Sequence, residues 1–169
     1  MRDWELDSPF LTAWLRLRQA YRAAARIAEA EVSQFQSTVA QIDILTMLNA
    51  SRGPLTLGEI SSYLSLDNTG TSALLTRMQR AGLVRKVRSK MDQRVVRIQM
   101  LPKGKELLAK AARLHGRTCQ TMEGCFSEEE VKQFDSYLKR YRDHCLRKLG
   151  AEATPLPPIV DVDKLSVWL

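Results

Sequence analysis

Apolar residues recur at helical spacing through the first part of the chain. Over residues 8–36 they return every three or four positions, and Ser8 followed by Pro9 fits an N-cap and a first helical position. The stripe consists of Phe10, Trp14, Leu17, Tyr21, Ala24, Ala28, Val32 and Phe35. Because a stripe of about eight turns is too long for one small domain to cover, we expect a second subunit to cover it.

Shorter helices joined by polar turns follow. One is predicted over 39–49, and Thr56 with Glu59 fits a capping box that opens a second helix through Leu64.

A third short helix is predicted to begin at Asp67 or Asn68, either of which fits its N-cap, and to run to about Arg80. Gly82 fits the position just beyond its end. Two short helices joined by a tight polar turn are typical of a helix-turn-helix.

The hydrophobic period then changes from helical to alternating. Residues 83–88 and 95–100 are predicted strands joined by a polar connection over 89–94. Arginine and valine alternate along them, which predicts a hairpin with one packed face and one charged face.

Two more amphipathic helices are predicted towards the C-terminus. Pro102 suits the first turn of one, and Ser127 with Glu130 forms a capping box for the other, which runs through Leu149. The remaining residues, with three of the six prolines, predict an extended arm. Whether this arm docks on a partner subunit or frays stays open.

Composition narrows the class of protein. The chain has 169 residues, 44% of them hydrophobic, without a run of about twenty apolar residues that could span a membrane. Three cysteines without CxxC spacing indicate reduced thiols, and the acidic N-terminus is unlike a secretory signal. We therefore expect a cytoplasmic protein that has no membrane partner.

The positive charge is concentrated in one segment. Residues 76–97 hold eight Lys and Arg and a single acid, so this window alone accounts for the net charge of +7. Such a segment favours a polyanionic partner over an ordinary solvated face.

The third short helix has a face suited to the major groove of DNA. Thr69, Ser72, Thr76 and Arg80 lie opposite the predicted core residue Leu74, and this face lacks acids. In the hairpin, basic residues suit the minor groove, with Asp92 orienting Arg94; an ordinary turn aspartate is the alternative. The residues expected to contact DNA are Asn68, Thr69, Thr71, Ser72, Thr76, Arg77, Arg80, Arg88, Lys90 and Arg94.

The region over 41–108 resembles the winged helix of the MarR family of bacterial transcription regulators. The matching motifs are Leu57-Gly58-Glu59-Ile60, Leu75-Thr76-Arg77-Met78-Gln79-Arg80-Ala81-Gly82-Leu83-Val84, Asp92-Gln93-Arg94 and Leu101-Pro102-Lys103-Gly104-Lys105. The resemblance implies a mainly α fold with a small β-hairpin wing, flanked by long N- and C-terminal dimerisation helices. It also implies a homodimer on a pseudopalindromic site, with Arg94 as the minor-groove finger and Asp92 as its brace.

The corresponding boundaries are an N-terminal dimerisation helix over 1–37, a winged helix-turn-helix domain over 38–101, C-terminal dimerisation helices over 102–149 and the arm over 150–169. One departure is Ala73, where family members often have arginine. Direct base contact is then reduced, and DNA shape is expected to contribute more to specificity.

The resemblance also implies a small aromatic effector that releases DNA. Its predicted pocket residues are Trp14, Tyr21, Phe35 and Met47, with ordinary core packing as the alternative.

Cysteine and histidine offer weaker hypotheses. Cys119, Cys125 and Cys145 are predicted on helices, where a small buried hydrophobe is the default and redox sensing the alternative. His115 and Cys119 have a spacing that could share a metal, but no carboxylate-rich cluster accompanies them, so no metal and no cofactor are expected.

These observations favour a sequence-specific DNA-binding regulator. Because repression is the common role in the family that the chain resembles, we expect a repressor. The sequence has no Gly-rich phosphate loop and no HExxH motif, so we expect no enzyme. RNA binding is disfavoured because aromatic residues do not alternate with the basic ones. The alternative is a winged-helix protein-interaction adaptor without specific DNA binding.

Overall fold

The computed structural model describes residues 8–51, 53–64, 67–88 and 95–148, and of 113–119 it describes only the backbone. The predicted arm and the wing residues Lys90, Asp92 and Arg94 lie outside these ranges.

Helices dominate the described part of the chain, as predicted. They are α1 (Pro9–Ser33), α2 (Val39–Ala50), α3 (Leu57–Leu64), α4 (Asn68–Arg80), α5 (Pro102–Glu123) and α6 (Glu128–Lys148). The strands are β1 (Leu55–Thr56), β2 (Val84–Arg88) and β3 (Val96–Met100).

The ends of the short helices follow from local chemistry. The Glu59 carboxylate accepts hydrogen bonds from the backbone N–H and the hydroxyl of Thr56, as expected for the predicted capping box. Asp67, rather than Asn68, caps α4, because its carboxylate accepts from the backbone N–H of Gly70 at 2.6 Å. Beyond α4, Gly82 has a φ of 74°, a conformation that glycine adopts without a steric penalty.

Two further capping boxes begin α2 and α6. The one at Ser127 and Glu130 was predicted, and the Glu130 carboxylate accepts hydrogen bonds from the backbone N–H and the hydroxyl of Ser127. The other, at Thr38 and Gln41, was missed, although its Thr-x-x-Gln spacing is visible in the sequence.

The sheet has three strands where the sequence predicted two. Its order is β1-β3-β2, with both pairs antiparallel. Leu55 pairs with Ile98 and Thr56 with Arg97, so the segment before α3 is joined to the wing. A strand of two residues has too little hydrophobic pattern to be predicted.

The predicted division of the hairpin into a packed and a charged face is wrong in one respect. Val84 pairs with Met100, Lys86 with Ile98 and Arg88 with Val96, so these side chains share one face. Val84 and Ile98 are buried, whereas Lys86 and Arg88 are exposed. The core-facing side of the wing therefore becomes basic where the strands extend past the core.

One core joins the helix-turn-helix to the sheet and to the start of α5. Its fully buried side chains are Ile42, Ile44, Leu45, Ile60, Thr71, Leu75, Met78, Val84 and Ile98. Leu108 and Ala111 extend this core onto α5. The core thus holds α4 and the wing in a fixed relation.

The long terminal helices contribute little to this core. Val32 is the buried residue of α1, and α6 has no buried residue. Along the described stretches of both helices aromatic side chains are exposed, with Phe10 at 83%, Tyr21 at 72% and Tyr137 at 55%. Within the described residues, every helix is too short or too polar to cross a membrane.

Candidate nucleic-acid interface

Helix α4 packs one face on the core and presents the other outward. Leu74, Leu75 and Met78 are buried. On the outward side the described residues are all uncharged or basic: Asn68, Thr69, Gly70, Ala73, Arg77, Gln79 and Arg80 are exposed, and Ser72 and Thr76 are half-buried.

The prediction that Thr71 contacts DNA is wrong, because Thr71 is buried. Its side chain is 0% exposed, and its hydroxyl donates to the carbonyl oxygen of Asp67 at 3.0 Å. Thr71 is close to Leu74 around the helix, so it belongs to the core rather than to the outward face.

The outward face of α4 changes in electrostatic character along its length. The Asp67 carboxylate caps the N-terminal end, while Arg77 and Arg80 lie in the last turn. Cations at a helix C-terminus interact favourably with the helix dipole. Positive charge is therefore concentrated where α4 leads into the wing.

Strand β2 adds exposed cations on both of its faces. Arg85, Lys86 and Arg88 are exposed, and Arg85 donates from Nε to Oε1 of Gln99 on β3 at 2.9 Å. The side chain of Lys103, at the start of α5, lies beside Gly82. Lys103 lies outside the basic window over 76–97, so the sequence did not single it out as a candidate for DNA contact.

Arg97 ties the wing to the segment that precedes α3. Its Nη1 donates to the carbonyl oxygen of Pro54 at 3.0 Å, although the two residues are 43 positions apart. The pKa of Glu59 is lowered chiefly by the hydrogen bond from the Thr56 backbone; burial opposes this shift, and the Thr56 hydroxyl and the charge of Arg97 add to it.

The sequence profile of the MarR family matches residues 36–95. An uncharacterised HTH-type transcriptional regulator of Bacillus subtilis (strain 168), YsmB, is 32% identical over 96 residues, which is 57% of this chain and 66% of YsmB. The chain belongs to the MarR family. Because members of this family are transcription regulators, the prediction that the chain is not an enzyme is confirmed.

Solved structures of transcription regulators share the fold of this chain. The organohalide-sensing regulator RdhR-CbdbA1625, bound to 2,4-dichlorophenol, has a TM-score of 0.75 and 20% identity over 86% of each chain. A mutant of MarR from E. coli, complexed with operator DNA, has a TM-score of 0.74 and 18% identity over 81% of this chain and 98% of that one. The predicted fold class is therefore confirmed.

The predicted effector pocket is not assembled within one protomer of this MarR-family chain. Trp14 and Tyr21 are exposed in the N-terminal half of α1, whereas Met47 is buried and Phe35 is half-buried. At 1.5 Å per residue, Trp14 lies about 27 Å along the helix from Val32. The ring of Trp14 instead contacts the Arg18 guanidinium, 4.6 Å from its centroid.

The cysteines also differ from the prediction. Cys125 is exposed in the turn after α5 rather than buried on a helix. Cys145 is half-buried, and a hydrogen bond with its side chain raises the pKa of Tyr141. The side chains of His115 and Cys119 lie outside the described part of the chain. Among the side chains that are described, no three potential metal ligands come together.

Proposed function

We propose that the chain is a sequence-specific DNA-binding transcription regulator that acts as a homodimer and represses its target genes. The observation that carries this proposal is the outward face of α4. Its sequence from Asn68 to Arg80 contains no acidic residue, and β2, which follows it in the chain, has exposed cations. Such a surface suits a helix that enters the major groove.

The second contact is assigned to the wing. Arg88 is exposed at the end of β2, and the chain continues from it to Lys90, Asp92 and Arg94. In this proposal Arg94 enters the minor groove, with Asp92 orienting its guanidinium, while Arg88 and Lys90 contact phosphates. Asn68, Thr69, Ser72 and Thr76 contact base edges or nearby phosphates, and Arg77 and Arg80 contact the DNA backbone.

The proposed dimer uses the flanking helices assigned to 1–37 and 102–149. The exposed aromatic residues of α1 and the absence of any buried residue in α6 support a second copy as the partner. Two winged helix-turn-helix domains would then face two half-sites of a pseudopalindrome.

Sedimentation velocity of the full chain tests the dimer. Tyr21→Asp puts a charge into the apolar stripe of α1 and should shift the protein towards monomer. Gln19→Asp adds the same charge on the opposite, exposed side of α1 and should leave the dimer intact. Equal behaviour of the two variants would contradict this interface.

Selection of bound fragments from genomic DNA, followed by footprinting at two salt concentrations, tests the function. A protected pseudopalindrome with half-sites about one helical turn apart is the expected result. Arg94→Ala should weaken binding and reduce the salt slope by about 1, whereas Lys132→Ala, which removes an exposed charge from α6, should not. Uniform binding that disappears at moderate salt would contradict the proposal and favour a protein-interaction adaptor.

Release by a small aromatic ligand is a separate part of the proposal. It is supported by the dichlorophenol-bound structure of a regulator with the same fold. Footprinting with and without 2,4-dichlorophenol is a first test, with loss of protection as the expected result. A systematic panel of substituted phenols that leaves the footprint unchanged would contradict this part alone.

A further inference from the structure

The outward face of α4 carries short side chains over its first two turns. From Thr69 to Thr76, no exposed or half-buried side chain is longer than threonine. Thr69, Ala73 and Thr76 follow one another at intervals of four and three residues, so they lie along one strip of the helix surface. This strip therefore presents methyl groups and hydroxyls, and the longer arginines come after it.

The hydroxyl of Thr76 has a restricted role. Its Oγ1 lies 2.9 Å from the backbone carbonyl oxygen of Ser72. A carbonyl oxygen can only accept, so the Thr76 hydroxyl must be the donor in this bond. What Thr76 still offers to a ligand is an acceptor lone pair and its γ-methyl group.

The methyl group matches one type of base pair. In the major groove both pairs show an amino donor, on adenine N6 or on cytosine N4, so the acceptor lone pair does not distinguish them. Only an A·T pair adds the thymine methyl, whereas a G·C pair adds two acceptors on guanine. Thr76 cannot donate to those acceptors, and Ala73 has only a methyl group.

We infer that Ala73 and Thr76 are specificity-determining residues that select A·T pairs through thymine methyl groups. This inference rests on the proposed function, because it requires α4 to lie in the major groove. It differs from indirect selection by DNA shape, since it assigns direct contacts to two named side chains.

Selection of bound sites from a random duplex library, using the full-length protein, is the first test. The half-site positions under α4 should be A·T pairs. Each thymine at those positions is then replaced by uracil, which removes only the methyl group. The expected result is a loss of affinity of about fourfold per contacted methyl, comparable to exposing one buried methyl group.

Variants then assign the contact to its side chain. Thr76→Ser keeps the hydroxyl and removes the methyl, so it should bind thymine DNA about fourfold more weakly and lose its sensitivity to uracil at one position. Ala73→Gly should do the same at a neighbouring position. Thr71→Val is the matched control, because Thr71 is buried and should leave the sensitivity to uracil unchanged.

The possible results distinguish a failure of the inference from a failure of the proposed function. A specific site that tolerates uracil throughout, or that has G·C pairs under α4, overturns the inference and leaves the proposed function standing. If no specific site is selected at all, both the proposed function and the inference are overturned.

Discussion

Arg97 on β3 and Pro54 before α3 are joined by a hydrogen bond from the guanidinium Nη1 to the carbonyl oxygen. The bond lies beside the pairing of Thr56 with Arg97, so the wing and the start of α3 are linked through both backbone and side chain. The position of the wing relative to the helix-turn-helix therefore depends on this junction.

Arg97→Met should remove the side-chain donor to Pro54 and lower the free energy of unfolding by about 1 kcal/mol, because a partly buried carbonyl loses its charged donor. Urea denaturation with an unchanged m-value measures this. Arg85→Met removes an exposed hydrogen bond on the neighbouring strand and should change stability by less than about 0.5 kcal/mol. Equal losses would show that the Pro54 contact contributes nothing specific.

Thr71→Val tests the placement of Thr71 in the core. The variant keeps the shape of the side chain and removes the hydroxyl that donates to Asp67. We expect a loss of about 1 kcal/mol in unfolding free energy and no change in DNA affinity well below the melting temperature. A drop in affinity at unchanged stability would instead restore Thr71 as a DNA-contacting residue.

At Gly104, helix α5 passes close to Leu83, Met100 and Leu45. An added Cβ would collide with the carbonyl oxygen of Leu83 and would lie 3.0 Å from Cγ of Met100 and 3.1 Å from Cδ2 of Leu45. Gly104→Ala should therefore lower the unfolding free energy by about 1–3 kcal/mol.

Gly58→Ala is the matched control for that substitution. Gly58 lies in α3, and an added Cβ would meet no atom within 4 Å. We expect a gain of about 0.5–1 kcal/mol from the lower entropy of the unfolded chain. Thermal or urea unfolding of both variants, compared with the unmodified protein, distinguishes steric crowding from helix propensity.

The pKa of Glu59 predicts a pH dependence of stability. Because the fold lowers this pKa from its ordinary value of 4.5, the ionised group stabilises the fold above that pH. The contribution should be lost as pH falls through the lowered pKa of the folded state. Glu59 is largely exposed, so water screens the effect, which should be roughly 0.5 kcal/mol or less.

Glu59→Gln keeps the capping geometry without the charge, which isolates this contribution. At neutral pH this variant should have a lower unfolding free energy than the unmodified protein, and the difference should disappear at acidic pH. Unfolding free energies measured from neutral pH to about pH 3 follow the difference. If the stability deficit of Glu59→Gln stayed constant with pH, it would come from altered capping geometry and not from the charge of Glu59.

The parts of the fold that sequence reasoning predicted well are those with local chemistry. Thr56 with Glu59 and Ser127 with Glu130 mark helix starts within four residues, and Gly82 marks a helix end by its backbone freedom. Such signals need no knowledge of what lies elsewhere in the chain.

The missed features depend on contacts between distant residues. Strand β1 exists because Leu55 meets Ile98, and the donor to Pro54 is far along the chain at Arg97. Thr71 was misassigned although its angle around α4 places it beside Leu74, on the buried face. The family resemblance supplied the winged fold, whereas the burial of each side chain required the structure.

The three-stranded wing also has a consequence for how the chain folds. Strands β2 and β3 are joined by a short connection, but β1 pairs with β3 only when about forty residues of intervening chain are brought into a closed loop, at an entropic cost. That cost is offset once α3 and α4 have formed and shortened the path. We therefore expect β1 to pair with β3 last during refolding, after the helix-turn-helix has formed.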